Sequence, residues 1–260
     1  MHTWQWQTWN QLPYLTCSIL EPWQHGFFTQ QFWGRSPTDL TQILQPTAQT
    51  YQVKQVHGNV VLLPTEVTAT IAADDLPPAD GLVTEQANQA VWVCSADCTP
   101  ALVGDVATGQ VAAVHAGWRG TALKILPVAI ARLQAQGSQL KNLRIALGPA
   151  IAGEVYQVSE QVALEVGSTV ATLNPATPNA LEPLRQLPRS PILADPEPGR
   201  VRLDVRRVNG LQLEQLGLAA EQVAIAPYCT FQNETYFFSY RRARAKKIQW
   251  SGIVSLESET

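Results

Sequence analysis

The stretch VAAVHAGWRGTALKILPVAIARLQAQG (111–137) decides how the chain is read. With Gln110 ahead of it, its start is a short apolar run ending at His115, the pattern of a buried strand over 110–115. AGWRG (116–120) then places two glycines in five residues, a sharp turn. Thr121 follows as an N-cap, and Leu123, Leu126, Ile130 and Leu133 recur at helical spacing until Gly137 stops the run. Pro127 falls inside that run and predicts either a kink or a later start. The unit is strand, turn, helix, with a histidine where the strand gives way to loop, the place where scaffolds present reactive side chains.

On the N-terminal side, residues 90–105 are apolar and β-rich, interrupted at Ser95-Ala96-Asp97-Cys98. Residues 51–63 read as extended chain punctuated at Gly58, and a polar, proline-rich stretch through Pro77 and Pro78 leads to a turn at Asp80-Gly81. Trp4 and Trp6 alternate with polar residues as in a half-buried strand, and these early tryptophans read as core or edge packing. On the C-terminal side, residues 143–147 form a strand closed by Gly148-Pro149, 159–167 and 205–217 read as helices, and 222–226, 235–239 and 248–256 as closing strands. Between Asn174 and Arg200 lie seven of the eighteen prolines, which predicts an exposed loop or insertion without regular elements. Strands both adjacent to one another and alternating with helices predict an α+β fold, one domain over residues 1–260 with mixed β-sheets flanked by helices.

At 260 residues and 45% hydrophobic the chain is long enough to bury a substantial core. Eighteen Lys and Arg against 21 Asp and Glu leave a net charge of −3, so no electrostatic footprint for a nucleic acid is visible. No apolar run reaches the ~20 residues of a membrane span. MHTWQWQTWNQLPYL lacks the basic start and apolar stretch of a signal peptide, and a cytoplasmic chain with reduced thiols is expected. The thiols are Cys17, Cys94, Cys98 and Cys229, without a CxxC pair.

Phosphate-loop, dinucleotide and nucleophile-elbow motifs are absent. What remains are KQVHG (54–58), SADCTP (95–100) and VHAGWRGT (114–121). His57, Cys98 and His115 each stand at a strand end beside a glycine or a turn. Two imidazoles and a thiolate make a three-ligand set for Zn²⁺ with the fourth tetrahedral position open. The same three are the equatorial set of a blue-copper centre; its usual axial methionine is missing, since Met1 is the sole methionine, and the substitutes are a backbone oxygen or a glutamine, with Gln55 near His57. Cys98 with His57 or His115 as base is also a candidate nucleophile, and each of the three taken singly has the more usual reading of a packing residue. Beside them, Gly117, Gly120, the helix amides near Thr121 and the Arg119 guanidinium make a candidate phosphate cradle; the plainer reading is a glycine-rich turn with a solvated arginine.

KQVHG, the ADC of 96–98, HAGWRG (115–120) and FFSYRR (237–242) together resemble the signature segments of the YfiH or laccase-domain family. Weaker echoes are HGFFT (25–29), ADGLVT (79–84), LGPAI (147–151) followed by Tyr156-Gln157-Val158, and Cys229-Thr230, so the resemblance runs in order from His25 to the end. It implies an α+β fold similar to a bacterial toxin deamidase with a Cys–His site. It also implies a metal, zinc in most members, held by His57, Cys98 and His115. The implied activity is phosphorolysis of adenosine, inosine or methylthioadenosine to base and ribose 1-phosphate, together with adenosine deamination. The substrates are then a small nucleoside and phosphate, without nucleic acid or membrane. Asp97, Cys98, His115 and Arg119 become the expected catalytic residues. Asp97 stabilises a sugar cation or acts on a hydroxyl, against its plain reading as a turn-forming residue. Arg119, Gly120, Thr121, Gln55, Tyr240 and Arg241 become the expected phosphate and substrate contacts, while Arg242 reads as surface. The family was first labelled polyphenol oxidase, and a copper-dependent oxidase or a Cys98 hydrolase or deamidase are the alternatives. A multicopper laccase needs more imidazoles than the four present. FFSYRR continues here as ARAKKIQWSG, a departure from the family's TGR-type continuation that leaves the downstream anion contact open.

Overall fold

Alternation along the strand Gln89–Ser95 shows how the layers form. Val91 and Val93 join Leu15, Phe27, Leu102 and Ala113 in one buried cluster, while Ala90 and Trp92 turn the other way, towards Leu40 and Leu44. Leu40 and Leu44 belong to the helix Pro37–Leu44, which starts on a reciprocal cap between Ser36 and Asp39 and carries proline in its first turn. The Trp92 indole N–H donates to the Thr41 hydroxyl at 2.9 Å, which fixes the ring under this helix. Gly252 on the adjoining strand has to be glycine, because a methyl group there would stand 2.4 Å from the Trp92 ring.

The computed structural model describes residues 2–67 and 76–257. The polar stretch before Pro77 lies partly outside the described residues. The first six-stranded sheet runs in the order Trp4–Trp9, Leu12–Cys17, His25–Phe28, Gln249–Val254, Gln89–Ser95, Gln49–Tyr51. The second runs Val223–Ile225, Leu143–Leu147, Thr99–Asp105, Val111–Ala116, Gly81–Val83, Val61–Leu62. Each combines parallel and antiparallel pairs. Their inner faces share the core of Leu15, Phe27, Val91, Leu102 and Ala113. The outer face of the second sheet, through Ala101, Val103, Ala112 and Val114, packs on Leu126, Ile130 and Leu133 of the helix Ile125–Ala135 and on Leu213 of the helix Val205–Gln215. The layers are therefore helix, sheet, sheet, helices, an α+β architecture with mixed sheets as the sequence predicted. Among the described residues no helix is long and apolar enough to cross a membrane.

Three expectations are corrected. Residues 235–239 are not a strand: the N–H groups of Tyr236 and Phe237 both donate to the Asn233 carbonyl, which curls the chain into a turn. The proline-rich segment 174–200 is not devoid of regular structure. It contains the short helix Glu182–Arg185 and the strand Ile192–Ala194, and it buries Leu181, Leu184 and Ile192. Ile192–Ala194 completes a three-stranded sheet with Arg200–Leu203 and Gln157–Ser159. The prolines tolerate this because Pro183 occupies the first helical turn, where an N–H has no partner to lose. The third correction, the start of the helix after His115, belongs to the site.

Candidate metal centre

Two links carry the chain from the first sheet to the second, and each holds one of the rare side chains. His57 lies between Gln49–Tyr51 and Val61–Leu62, and Cys98 lies between Gln89–Ser95 and Thr99–Asp105. Both links turn on a left-handed residue that is not glycine, His57 at φ +62° and Asp97 at φ +94°. Such backbone costs on the order of 1–3 kcal/mol and persists where surrounding contacts hold it. His115, the third member, ends the inward-facing series Val111, Ala113 on the strand Val111–Ala116. The candidate ligand atoms of His57, Cys98 and His115 all lie within 4.8 Å of one another, and the two imidazoles meet edge to face with ring centres 4.8 Å apart. His115 is 3% exposed, Cys98 half-buried and His57 exposed, so the cluster opens to one side.

Asp80 stands behind it, fully buried. Its Oδ1 lies 2.9 Å from His115 Nδ1 and accepts the His57 N–H at 2.9 Å; its Oδ2 accepts the N–H groups of Gly58 at 2.7 Å and Val56 at 3.2 Å. Burial pushes the Asp80 carboxyl up, but His115 and these N–H groups outweigh it and hold it below the usual carboxylate range. Burial likewise opposes the Cys98 thiolate, yet His115 and His57 bring the thiol down to about 6. The converse holds for His115. Burial disfavours its charge, and the Cys98 thiolate and Asp80 raise it to about 9.

Two recesses meet at Cys98. The wider, about 280 Å³, is lined by His57, Cys98, His115 and Tyr240 together with residues 245–248, the segment in which the sequence departs from the family pattern. The narrower is a slot of about 30 Å³ between Trp118 and Tyr156, floored by Cys98 and Thr99. The Arg119 guanidinium lies 4.2 Å over the Trp118 ring and that of Arg241 4.8 Å over the Tyr156 ring. Burial first, and then the charges of Cys98 and Asp97, push the Tyr156 hydroxyl up to about 12 against the pull of Arg241 and Arg119. It stays a protonated donor.

The remaining expected residues divide. The helix after His115 begins at Trp118, not Thr121, and Trp118–Ala122 spans a single turn before Lys124 breaks it at φ +57°. Pro127 is the reason: it fits only in a first turn, so a second helix starts at Ile125. The Thr121 N–H donates to the Gly117 carbonyl and its hydroxyl accepts from Asn209 at 3.0 Å, so Thr121 offers no free amide to an anion. Gly120 is buried against the Gly58 carbonyl, 2.9 Å from where a methyl would sit, and faces away from solvent. Thr121 thereby drops out of the candidate cradle, whose helix begins at Trp118, and of that group Arg119 alone is exposed. Gln55 does not face a ligand with its amide, which donates to the Cys94 carbonyl at 2.8 Å and accepts the Cys94 N–H at 2.7 Å. Asp97 accepts from the Thr230 hydroxyl at 2.7 Å and the Arg241 N–H at 2.6 Å, so it ties the 240–243 turn to the site. Tyr240 is 48% exposed at the wider recess. The Arg241 side chain donates to the Gln157 carbonyl at 2.9 Å. Arg242 is not a surface residue: it donates to the carbonyls of Thr230, Phe231 and Phe237. Sequence reading gave Asp80 only a turn, because Asp-Gly signals one, and gave Tyr156 no role beyond its place in a family echo, because the recess it lines is closed by residues distant in the chain such as Cys98, Trp118 and Val205.

The donor set suits zinc, a thiolate and two imidazoles with one imidazole backed by a carboxylate. Gln55 is not free to serve a copper ion as axial ligand, since its amide is engaged on Cys94. The other two histidines are placed elsewhere, His2 on the Glu221 carbonyl and His25 between the Trp23 carbonyl and the Cys17 N–H.

Fold and donor set define an α+β protein with a His–Cys–His cluster able to hold a metal ion. Residues 37–255 match the family described as multi-copper polyphenol oxidoreductase laccase, and the chain belongs to this family, the YfiH or laccase-domain proteins. It is 53% identical over 256 residues to a purine nucleoside phosphorylase of Synechocystis sp., a match that covers 97% of each chain. Among solved structures it resembles YlmD from Geobacillus stearothermophilus, with a TM-score of 0.78 and 26% identity over 97% of this chain and 99% of that one. The YfiH protein of Bacillus licheniformis, at a TM-score of 0.77 and 24% identity over 94% of this chain and 96% of that one, shares the fold.

Proposed function

We propose that this chain is a zinc-dependent enzyme of purine nucleosides. In this reading it cleaves adenosine, inosine or methylthioadenosine with phosphate to the free base and ribose 1-phosphate, and it also deaminates adenosine. The observation that carries the reading is the likeness, over nearly the full length of both chains, to a purine nucleoside phosphorylase. His57, Cys98 and His115 would hold the ion, whose Lewis acidity serves the recess they line.

The protein's own part is to bind and orient. Arg119, over the Trp118 ring, and Arg241, over the Tyr156 ring, supply two guanidinium groups for phosphate, with the protonated Tyr156 hydroxyl as a further donor. Tyr240 offers an exposed ring to the nucleoside at the wider recess. In phosphorolysis a phosphate oxygen bonds to C1′ as the bond from C1′ to the base nitrogen breaks, and positive charge builds on the sugar. The negative charge of Asp97, fixed by Thr230 and Arg241, acts on that charge through space, as its hydrogen bonds leave no oxygen free to swing. The substrates are small molecules and the setting is cytoplasmic in this reading.

Zinc-replete protein given inosine and phosphate should yield hypoxanthine and ribose 1-phosphate, and a chelator should abolish both. Adenosine without phosphate should yield inosine. If neither product forms but copper-loaded protein oxidises phenols, the oxidase reading replaces this one. Zinc-free protein that hydrolyses amides and is blocked by alkylation of Cys98 would instead establish the nucleophile.

A further inference from the structure

Asp80 is gripped from every side. Its own N–H donates to the Val60 carbonyl at 2.9 Å, and its carbonyl accepts the His115 N–H at 2.7 Å. Its two carboxylate oxygens face four N–H donors, His115 Nδ1 and the backbone amides of His57, Gly58 and Val56. Only an acceptor-only group satisfies that demand. The two sets of donors belong to different ligands. Through Oδ1 the carboxylate engages His115 Nδ1 and so leaves Nε2 as the nitrogen that a metal ion would take. Through both oxygens it pins the backbone at 56–58, including the left-handed turn that presents His57.

We propose that Asp80 is the positioning residue of the metal centre, one carboxylate that sets both imidazole ligands at once. The proposal rests on the metal reading of His57, Cys98 and His115 and is independent of which reaction the ion serves. It makes the near-isosteric Asp80→Asn substitution informative, because an amide satisfies only one of the two demands. With its oxygen towards His115, the side chain still accepts from His115 and from the His57 N–H, but its NH₂ group meets the amides of Gly58 and Val56, donor against donor, and the turn on both sides of His57 loses its anchor. With the amide reversed, NH₂ faces His115 Nδ1, which must then accept. The proton moves to Nε2, and that nitrogen is lost as a ligand. One orientation loosens the turn that presents His57, and the other takes Nε2 of His115 out of coordination.

Zinc affinity, measured by competition with a chromophoric chelator, should fall 10–100-fold in Asp80→Asn while circular dichroism keeps the native spectrum. Combining Asp80→Asn with His57→Ala should give a loss smaller than the product of the two single losses, since part of the Asp80 effect runs through His57. Affinity within twofold of wild type in a folded Asp80→Asn variant would overturn the proposal, as would strict independence in the double variant. Should Asp80→Asn not fold, the wild-type protein decides. ¹⁵N spectra of the zinc-loaded protein should show His115 coordinated through Nε2 with Nδ1 protonated; coordination through Nδ1 overturns the assignment. A carboxylate needed merely for folding would lower the melting temperature and leave both readouts unchanged.

Discussion

Gly117 leaves the space that the Cys98 sulfur occupies: a methyl group built on its Cα would stand 2.7 Å from Sγ. The glycine is required by that approach and not by its backbone, which at φ −68° and ψ 171° is ordinary extended chain. Gly117→Ala should therefore fold, yet push Sγ out of line with the imidazoles and weaken zinc binding on the order of tenfold or more. Metal content after dialysis against a weak chelator, read beside the melting temperature, checks this. Wild-type metal retention would mean that Sγ has room to spare.

The thiols are set far apart in acidity. Cys98 is brought down to about 6, whereas burial pushes Cys17 up to about 11 and Cys94 up to about 12. In zinc-free protein, alkylation by iodoacetamide should modify Cys98 first, with a rate that rises with pH and reaches half its plateau near pH 6. The sign follows from linkage. A thiol whose folded value lies below its ordinary 9 contributes stability above 9 that is lost as pH falls through about 6. Added zinc should protect the thiol. A midpoint at 8 or above would show that the imidazoles do not stabilise the thiolate.

Arg119 is exposed and rests on its neighbour's indole ring, so its removal disturbs little else. Arg119→Met should raise the KM for phosphate by about tenfold, with zinc content unchanged. Identical phosphate dependence in the variant would return Arg119 to the solvent. Arg241 is the poorer target, because its side chain also holds the Gln157 carbonyl.

His57, Cys98 and His115 were legible in the sequence because histidine and cysteine are scarce here and each of the three sits beside a turn signal. The layered α+β plan was legible too, since Val111–Ala116 reads as an unbroken apolar run, the mark of a strand buried on both faces, followed by a helix. What escaped was decided by tertiary contacts. Thr121 has the look of a cap, but the helix starts three residues earlier; its break at Lys124, by contrast, follows from Pro127, which calls for a kink or a later start. The proline density of 174–200 concealed a strand and a helix whose apolar residues, Leu181, Leu184 and Ile192, are spaced too irregularly to show a period. Asp80 was invisible as a functional group because its meaning lies in four donors that arrive from elsewhere in the chain.

His57 and Cys98 lie on the links that carry the chain from one sheet to the other, and His115 belongs to the second sheet. An ion gripped by all three would thus work as a strain gauge for the whole sandwich. A slide of one layer over its partner would stretch the links and alter the ligand triangle before any strand let go. Crowding or hollowing the shared core, at Ala113 for instance, should register as a change in metal affinity and spectrum while the protein is still folded. The ion in turn would hold the layers in register, and its loss would be felt as a loosening of the sandwich and not only as an empty site.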